Sequence, residues 1–167
     1  MNNMTLYLDM DGVICDFHTA YSEIQSEIAD EKKFHIAVKE YNIFSRLKPM
    51  PDAKELLESV ACLPHIQIEI LTSVGTWNKE IGDMVRNQKT NWLHWNNIPH
   101  KPNFVRCKAE KADYASDKTI LIDDSIGCVE PFISAGGHGI LHTSASTSMY
   151  ELQQVFNKIK KHREWTT

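Results

Sequence analysis

The sequence predicts an α/β fold in which helices cover a mostly parallel sheet. Short apolar segments with the length of strands alternate with longer segments of helical periodicity, which is typical of a parallel sheet joined by helical crossovers. The chain has 167 residues, a length that suits one domain. Hydrophobic residues make up 42% of it and charged residues 24%, so the composition is that of an ordered globular protein.

The N-terminal third contains one strand, a helical segment and the start of the next helix. Thr5–Leu8 is an apolar strand that ends at Asp9. Residues 16–48 are polar and helix-prone, and their apolar side chains recur at helical spacing. Because this segment is too short for a domain, we expect a small helical insert. Asp52 then begins a helix as its N-cap, with Glu55 completing a capping box.

The rest of the chain continues the alternation. A strand with one buried face is indicated where Ile66, Ile68 and Ile70 alternate with polar residues, and it ends at position 73. The elements predicted after it are a long amphipathic helix over 77–95, a strand at Asn103–Arg106, a short helix at Lys108–Ala115, a strand at Thr119–Ile122, a short helix with Pro131 near its start, a strand at Gly139–Leu141 and a terminal amphipathic helix over 149–159.

The charge and hydropathy patterns argue against two kinds of partner. The chain has 18 basic and 22 acidic residues, a net charge of −4, and no basic stripe that could follow a nucleic-acid backbone. No apolar run approaches the ~20 residues of a membrane span, so we expect no membrane partner. Residues 1–60 are acidic on balance, which is compatible with a site for a hard cation and also with a solvated acidic face.

The cysteines and the N-terminal residues predict a cytoplasmic protein. The four cysteines are far apart and form no C-x-x-C pair, so we expect reduced thiols. The first residues lack the basic region of a secretory signal. The eight histidines show no spacing that is typical of a zinc site.

Polar pairs follow three of the predicted strands at the point where each strand ends. The pairs are Asp9 with Asp11, Thr72 with Ser73, and Asp123 with Asp124. Because ligands of a parallel sheet bind at the carboxyl ends of its strands, we expect these side chains to surround one site. Taken singly, each pair is also compatible with a turn or a helix cap.

The acidic pairs indicate a metal site. Asp123 and Asp124 follow four apolar residues and repel each other unless a cation offsets their charge. Mg²⁺ is the expected cofactor because it prefers oxygen ligands, and Asp9, the carbonyl of Asp11 and Asp124 would suffice to hold it against a substrate phosphate. An EF-hand loop is excluded by the position of the glycine. If Asp9 is position 1 of the loop, Gly12 is position 4, whereas an EF-hand loop has its glycine at position 6.

The remaining polar residues favour a phosphate site. Thr72 and Ser73 offer hydroxyl and N–H donors before a helix, which is a suitable place for an anion. A lysine is also needed to bring a nucleophile and a phosphate together. Lys108 and Lys111 both lie between the third strand and Asp123, and both are candidates.

Four segments resemble the motifs of the haloacid dehalogenase (HAD) superfamily of phosphohydrolases. LYLDMDGVICDF is similar to the first motif, ILTS to the second, Lys111 or Lys108 to the third and ILIDDS to the fourth, with Lys111 preferred on the family's spacing. Including LKPMPDAKELL and AGGHGIL, the similarity runs from about residue 5 to 142. It implies a three-layer, Rossmann-like core domain over 1–15 and 49–167, with residues 16–48 as a small helical cap.

Within the superfamily, the chain most resembles the 5'(3')-deoxyribonucleotidases. DMDGVICDF, the ILTS sequence and the position of the cap carry this resemblance. It implies a cytoplasmic, Mg²⁺-dependent phosphomonoesterase that hydrolyses deoxynucleoside monophosphates through an aspartyl-phosphate; a homodimer is left open. Two departures concern the substrate: the cap has no tryptophan, and Ser125 occupies a position that is often basic in those enzymes.

The resemblance also assigns roles to residues. Asp9 is the nucleophile and Asp11 the general acid and base. The catalytic set is Asp9, Asp11, Thr72 and Lys111. The metal set is Asp9, Asp11, Asp123 and Asp124. The substrate-binding set is Phe17, Phe44, Ser73 and Lys108, with Phe34 and Tyr41 as further aromatic candidates.

Three other functions are considered. The nearest is a phosphatase of the same superfamily that acts on another small phosphomonoester or on a polynucleotide end. A phosphate-accepting receiver domain uses similar residues, but its lysine follows the acidic residues, whereas here a lysine precedes Asp123. A non-catalytic nucleotide-binding module would not need both Asp9 and Asp11.

Overall fold

The sheet confirms the predicted α/β architecture. The computed structural model describes residues 4–24 and 29–164. Its five strands are all parallel and lie in the order β3-β2-β1-β4-β5. Their bounds are Met4–Leu8 (β1), Ile66–Ser73 (β2), Lys101–Val105 (β3), Thr119–Asp123 (β4) and His138–Leu141 (β5).

Helices connect the strands and cover the sheet. The α-helices are Phe17–Ser22 (α1), Asp30–Lys39 (α2), Ala53–Ala61 (α3), Lys79–Trp95 (α4), Ile126–Ser134 (α5) and Ala145–Glu164 (α6), and short 3₁₀ helices span Ile43–Ser45 and Lys108–Tyr114. The central strands β1 and β4 are nearly continuous apolar runs whose side chains are mostly buried, as expected for a sheet that is covered on both faces. Among the described residues, no helix combines the length and apolar character that a membrane crossing requires.

One local prediction is confirmed only in part, and another is wrong. Asp52 is the N-cap residue of α3, as predicted, but its side chain makes no hydrogen bond to that helix. Its Oδ2 instead accepts a 2.6 Å hydrogen bond from the backbone N–H of Ala145, the first residue of α6, because α3 and α6 pack together. Pro131 lies in the second half of α5 and not near its start. Proline has no backbone N–H, so one helical hydrogen bond is missing there, and the burial of Val129 and Phe132 stabilises the helix in its place.

Helix α4 holds the helical segment that is inserted between β1 and α3. The Gln88 side chain accepts a hydrogen bond from Phe44 N (3.2 Å) and donates one to Val38 O (2.8 Å). Four residues later, Trp92 Nε1 donates to Leu47 O at 2.7 Å. These buried bonds satisfy backbone groups of the segment that would otherwise lack a partner, and so they fix it over the sheet.

We expect Gln88→Leu to destabilise the protein. The substitution removes the partner of two buried backbone groups, each worth about 1–3 kcal/mol when it is left unsatisfied. Equilibrium urea unfolding measures the loss. Asn87→Leu, at the exposed neighbouring position, is the matched control, and equal stabilities of the two variants would contradict this account of the segment.

Candidate active site

A cavity opens at the carboxyl edge of the sheet. Its volume is about 330 Å³, which suits a small ligand. Its lining brings together residues that follow β1, β2 and β4 and residues of the inserted segment. These are Asp9, Asp11, Gly12, Phe17, His18, Phe34, Phe44, Ser73, Val74, Gly75, Lys108, Lys111, Asp123, Asp124, Ser125 and Cys128.

A tight turn after β1 presents Asp9 and Asp11 to this cavity. The backbone N–H groups of Val13, Ile14 and Cys15 all donate to the carbonyl of Met10, which folds the chain back on itself. Gly12 has a φ of +81°, a conformation that glycine adopts without strain. A side-chain carbon at this position would also overlap the carboxylate of Asp124. The glycine therefore allows the first and last acidic pairs to approach each other.

Three carboxylates form a cluster of metal-ligand character. Asp9, Asp123 and Asp124 each offer an oxygen, and these oxygens lie within 4.8 Å of one another. Asp9 and Asp123 are buried, while Asp124 is exposed. Burial and the neighbouring Asp9 raise the pKa of Asp123. Burial together with Asp9 and Asp123 raises the pKa of Asp124 to about 6. A hard divalent cation such as Mg²⁺ fits this donor set.

Lys111 lies inside the acidic cluster. Its Nζ is 2.8 Å from Asp9 Oδ1 and 2.6 Å from Asp123 Oδ2, and the side chain is buried. Burial opposes its charge, but the two carboxylates outweigh that effect and raise the pKa of Lys111. The other candidate, Lys108, is exposed at the rim of the cavity and donates a 3.1 Å hydrogen bond to Ser125 Oγ. The geometry therefore places Lys111, and not Lys108, against the carboxylates.

Asp11 faces a different lysine, which the sequence reasoning missed. Lys89 of α4 donates a 2.7 Å hydrogen bond to Asp11 Oδ2, and the Cys15 thiol donates to Oδ1 at 3.5 Å. Burial raises the pKa of Cys15 well above its usual value, so this thiol stays protonated. The carboxylate of Asp11 thus lies apart from the acidic cluster, and only its carbonyl is left for the predicted metal role.

Thr72 and Ser73 occupy different environments. Ser73 lines the cavity, as the strand-end position predicts. Thr72 is fully buried and is not part of the lining; its Oγ1 accepts a 2.7 Å hydrogen bond from Lys89. The structure does not bring the Thr72 hydroxyl to the cavity because the lysine of α4 lies against it.

Aromatic rings of the inserted segment form one wall of the cavity. Phe17 and Phe44 are parallel, with centroids 5.0 Å apart, and Tyr21 stacks on Phe17 at 5.1 Å. Phe34 also lines the cavity, whereas Tyr41 does not. His18 and Cys128 are lining residues that the sequence reasoning missed. Burial raises the pKa of Cys128 to about 12, so its thiol is neutral.

The fold is shared with solved hydrolase structures. The chain aligns with a dehalogenase crystal structure with a TM-score of 0.56 and 12% identity, over 83% of this chain and 84% of that chain. It aligns with a HAD-superfamily hydrolase from Ehrlichia chaffeensis with a TM-score of 0.50 and 15% identity, over 95% and 98% of the two chains. The chain has the HAD-like α/β fold. Comparisons of the sequence with family models and with curated proteins give no match.

We expect Asp124→Asn to stabilise the metal-free protein at pH 8. Because the pKa of Asp124 is raised to about 6 in the fold, its ionised form opposes folding, and stability falls as the pH rises through that value. Solvent screening limits the effect to about 1 kcal/mol, or a rise in Tm of about 2–4 °C in EDTA. The difference between the two proteins should vanish near pH 4.

The same variant tests the metal site. Mg²⁺ should raise the Tm of the unaltered protein by mass action and leave that of Asp124→Asn unchanged. Asp117→Asn, which alters an exposed carboxylate two residues before β4, is the control, and Mg²⁺ should raise its Tm as much as that of the unaltered protein. A Mg²⁺ response that survives in Asp124→Asn would remove this residue from the metal set.

Proposed function

We propose that the protein is a Mg²⁺-dependent phosphomonoesterase. The observation that carries this proposal is the Lys111 ammonium, which contacts both Asp9 and Asp123 at the carboxyl edge of a HAD-like sheet. A buried nucleophilic carboxylate, a fixed positive charge and an acidic cluster for a cation are together the requirements of phosphoryl transfer to an aspartate. The cytoplasm is the compartment that we propose for this activity.

The reaction begins with the nucleophile. An oxygen of Asp9 attacks phosphorus in line, the bond from phosphorus to the leaving oxygen breaks, and Asp11 gives a proton to that oxygen. Asp11 then takes a proton from the water that hydrolyses the aspartyl-phosphate. Lys111 offsets the negative charge of the phosphoryl oxygens throughout, and Ser73 orients them.

The metal would be held by Asp9 and Asp124, with Asp123 beside them and the carbonyl of Asp11 as a further ligand. When bound, Mg²⁺ neutralises charge on the phosphoryl oxygens. Lys111 already contacts one oxygen of Asp9, so the other oxygen of this carboxylate is the one that a cation can use. Asp123 contacts Lys111 through Oδ2 and accepts a hydrogen bond from Ser125 N through Oδ1, so Asp124 is the carboxylate of the cluster with no lysine contact among the described residues.

We further propose that the substrate is a deoxynucleoside monophosphate. The support is the aromatic wall formed by Phe17, Phe34 and Phe44, which gives an apolar surface on the cap, residues 16–48, next to the acidic cluster. Lys108 lies exposed at the rim, where it can meet a phosphate.

One observation favours a second candidate, a phosphatase for a non-aromatic phosphomonoester. Phe17 stacks with both Phe44 and Tyr21 at about 5 Å, so its ring is already engaged in the fold. A base would then meet ring edges and not a free face. A sugar phosphate has no aromatic ring, so its binding does not require a free ring face in the cavity.

A panel assay tests the function and separates the two substrate classes. We expect phosphate release from deoxynucleoside monophosphates with Mg²⁺, none with EDTA, and slower release from ribonucleotides and sugar phosphates. Asp9→Asn should lower kcat by about 10⁴-fold or more, because it removes the nucleophile, and Asp117→Asn should not change it.

Two outcomes would contradict the proposal at different levels. Turnover by Asp9→Asn at the unaltered rate would exclude the aspartyl-phosphate mechanism. Release from sugar phosphates alone would keep the mechanism and replace the substrate.

A further inference from the structure

Lys89 uses all of its hydrogen-bonding capacity inside the protein. An ammonium group has three protons, and Nζ donates to Asp11 Oδ2 (2.7 Å), Thr72 Oγ1 (2.7 Å) and Ser73 O (2.9 Å). The side chain is fully buried and is not part of the cavity lining. Lys89 therefore has neither the exposure nor a free proton with which to bind a phosphate.

The contact fixes Asp11 in one orientation. The Asp11 side chain is 29% exposed at the cavity, where a carboxylate without a partner could turn freely. Lys89 holds Oδ2, and Lys89 is itself held by the end of β2 through Thr72 and Ser73. A charge-assisted hydrogen bond between buried and half-buried groups is short and directional. It therefore leaves Oδ1, which has only the longer 3.5 Å contact with the Cys15 thiol, as the oxygen available to a ligand.

The same lysine contacts the inserted segment. Its Nζ lies 4.7 Å from the centroid of Phe44, a cation–π distance. The preceding residue, Gln88, binds the backbone of Phe44. One turn of α4 thus connects the aromatic wall of the cavity to the carboxylate of Asp11.

We propose that Lys89 is the positioning residue for Asp11, and that it serves departure of the leaving group and not attack at phosphorus. This inference rests on the proposed function. As the bond from phosphorus to the leaving oxygen breaks, its electron pair goes to that oxygen, which takes the proton carried by Asp11 on Oδ1, the oxygen that Lys89 does not hold. Asp11 is left as a carboxylate paired with the Lys89 ammonium. Lys89 sets the direction from which Asp11 reaches the oxygen, and it neither gains nor loses a proton in the step.

The test uses two substrates that differ in their need for an acid. A deoxynucleoside monophosphate releases an alkoxide, which requires protonation, whereas p-nitrophenyl phosphate releases a stabilised phenolate. We expect Lys89→Met to lower kcat for the nucleotide by about 10²-fold or more, the contribution of a general acid. The loss for p-nitrophenyl phosphate should stay below about 10-fold. A merely structural role would reduce both rates alike.

Asp11→Asn and the double variant complete a cycle. If Lys89 acts through Asp11, the Asp11→Asn/Lys89→Met protein hydrolyses the nucleotide at the rate of Asp11→Asn, because neighbours that act as one unit are not additive. This comparison holds even where Lys89→Met alone does not fold, since the double variant leaves no buried charge unpaired. Lys79→Met, an exposed lysine of the same helix, is the control and should match the unaltered protein.

The outcomes separate this proposal from the function on which it rests. Activity of the unaltered protein that is lost in Asp9→Asn supports the function; with that result, equal losses on both substrates or an additive double variant overturn the role of Lys89 alone. If the unaltered protein releases phosphate from neither substrate, the proposed function fails and the proposal fails with it.

Discussion

Four carboxylates crowd the carboxyl edge of this sheet, and two buried ammonium groups offset their repulsion. Lys111 contacts Asp9 and Asp123, and Lys89 contacts Asp11. Buried or half-buried charges of one sign are costly unless opposite charges lie close by. The carboxylates lie close together because β1 and β4 are neighbouring parallel strands that end at the same edge of the sheet. The two lysines come from different connecting segments, Lys89 from α4 and Lys111 from the 3₁₀ helix between β3 and β4.

The two lysines divide the carboxylates into groups with different chemistry. Lys111 contacts Asp9 and Asp123 and offsets part of their charge. The charge of the exposed Asp124 is not offset in this way, and its pKa is raised, so a bound cation would stabilise this carboxylate most. The carboxylate of Asp11 contacts Lys89 and is not part of this cluster. Asp9 and Asp11, the proposed nucleophile and the proposed acid, are two residues apart and yet have different partners, and the proposed reaction requires different environments for the two groups.

Much of this site follows from the sequence, and the exceptions share one cause. Asp9, Asp123 and Asp124 could be brought together because polar residues at the ends of parallel strands meet at one edge. Lys111 was preferred over Lys108 only through the resemblance to the family's spacing. Lys89 was missed since a helical lysine is usually solvated and Asp11 is 78 residues away, although the stripe of buried residues Ile81, Val85 and Trp92 on α4 includes position 89. Asp52 shows the same limit: a local capping rule gave way to a partner on α6 that no local pattern reveals.

The central claim is that the carboxylates of Asp9, Asp123 and Asp124 surround one divalent ion. Crystals grown with Mn²⁺ in place of Mg²⁺ test it directly through anomalous scattering. The account predicts a single strong peak at the cavity, about 2–2.5 Å from oxygens of both Asp9 and Asp124. A map with no peak between these two side chains, or with the ion bound elsewhere on the molecule, would contradict it.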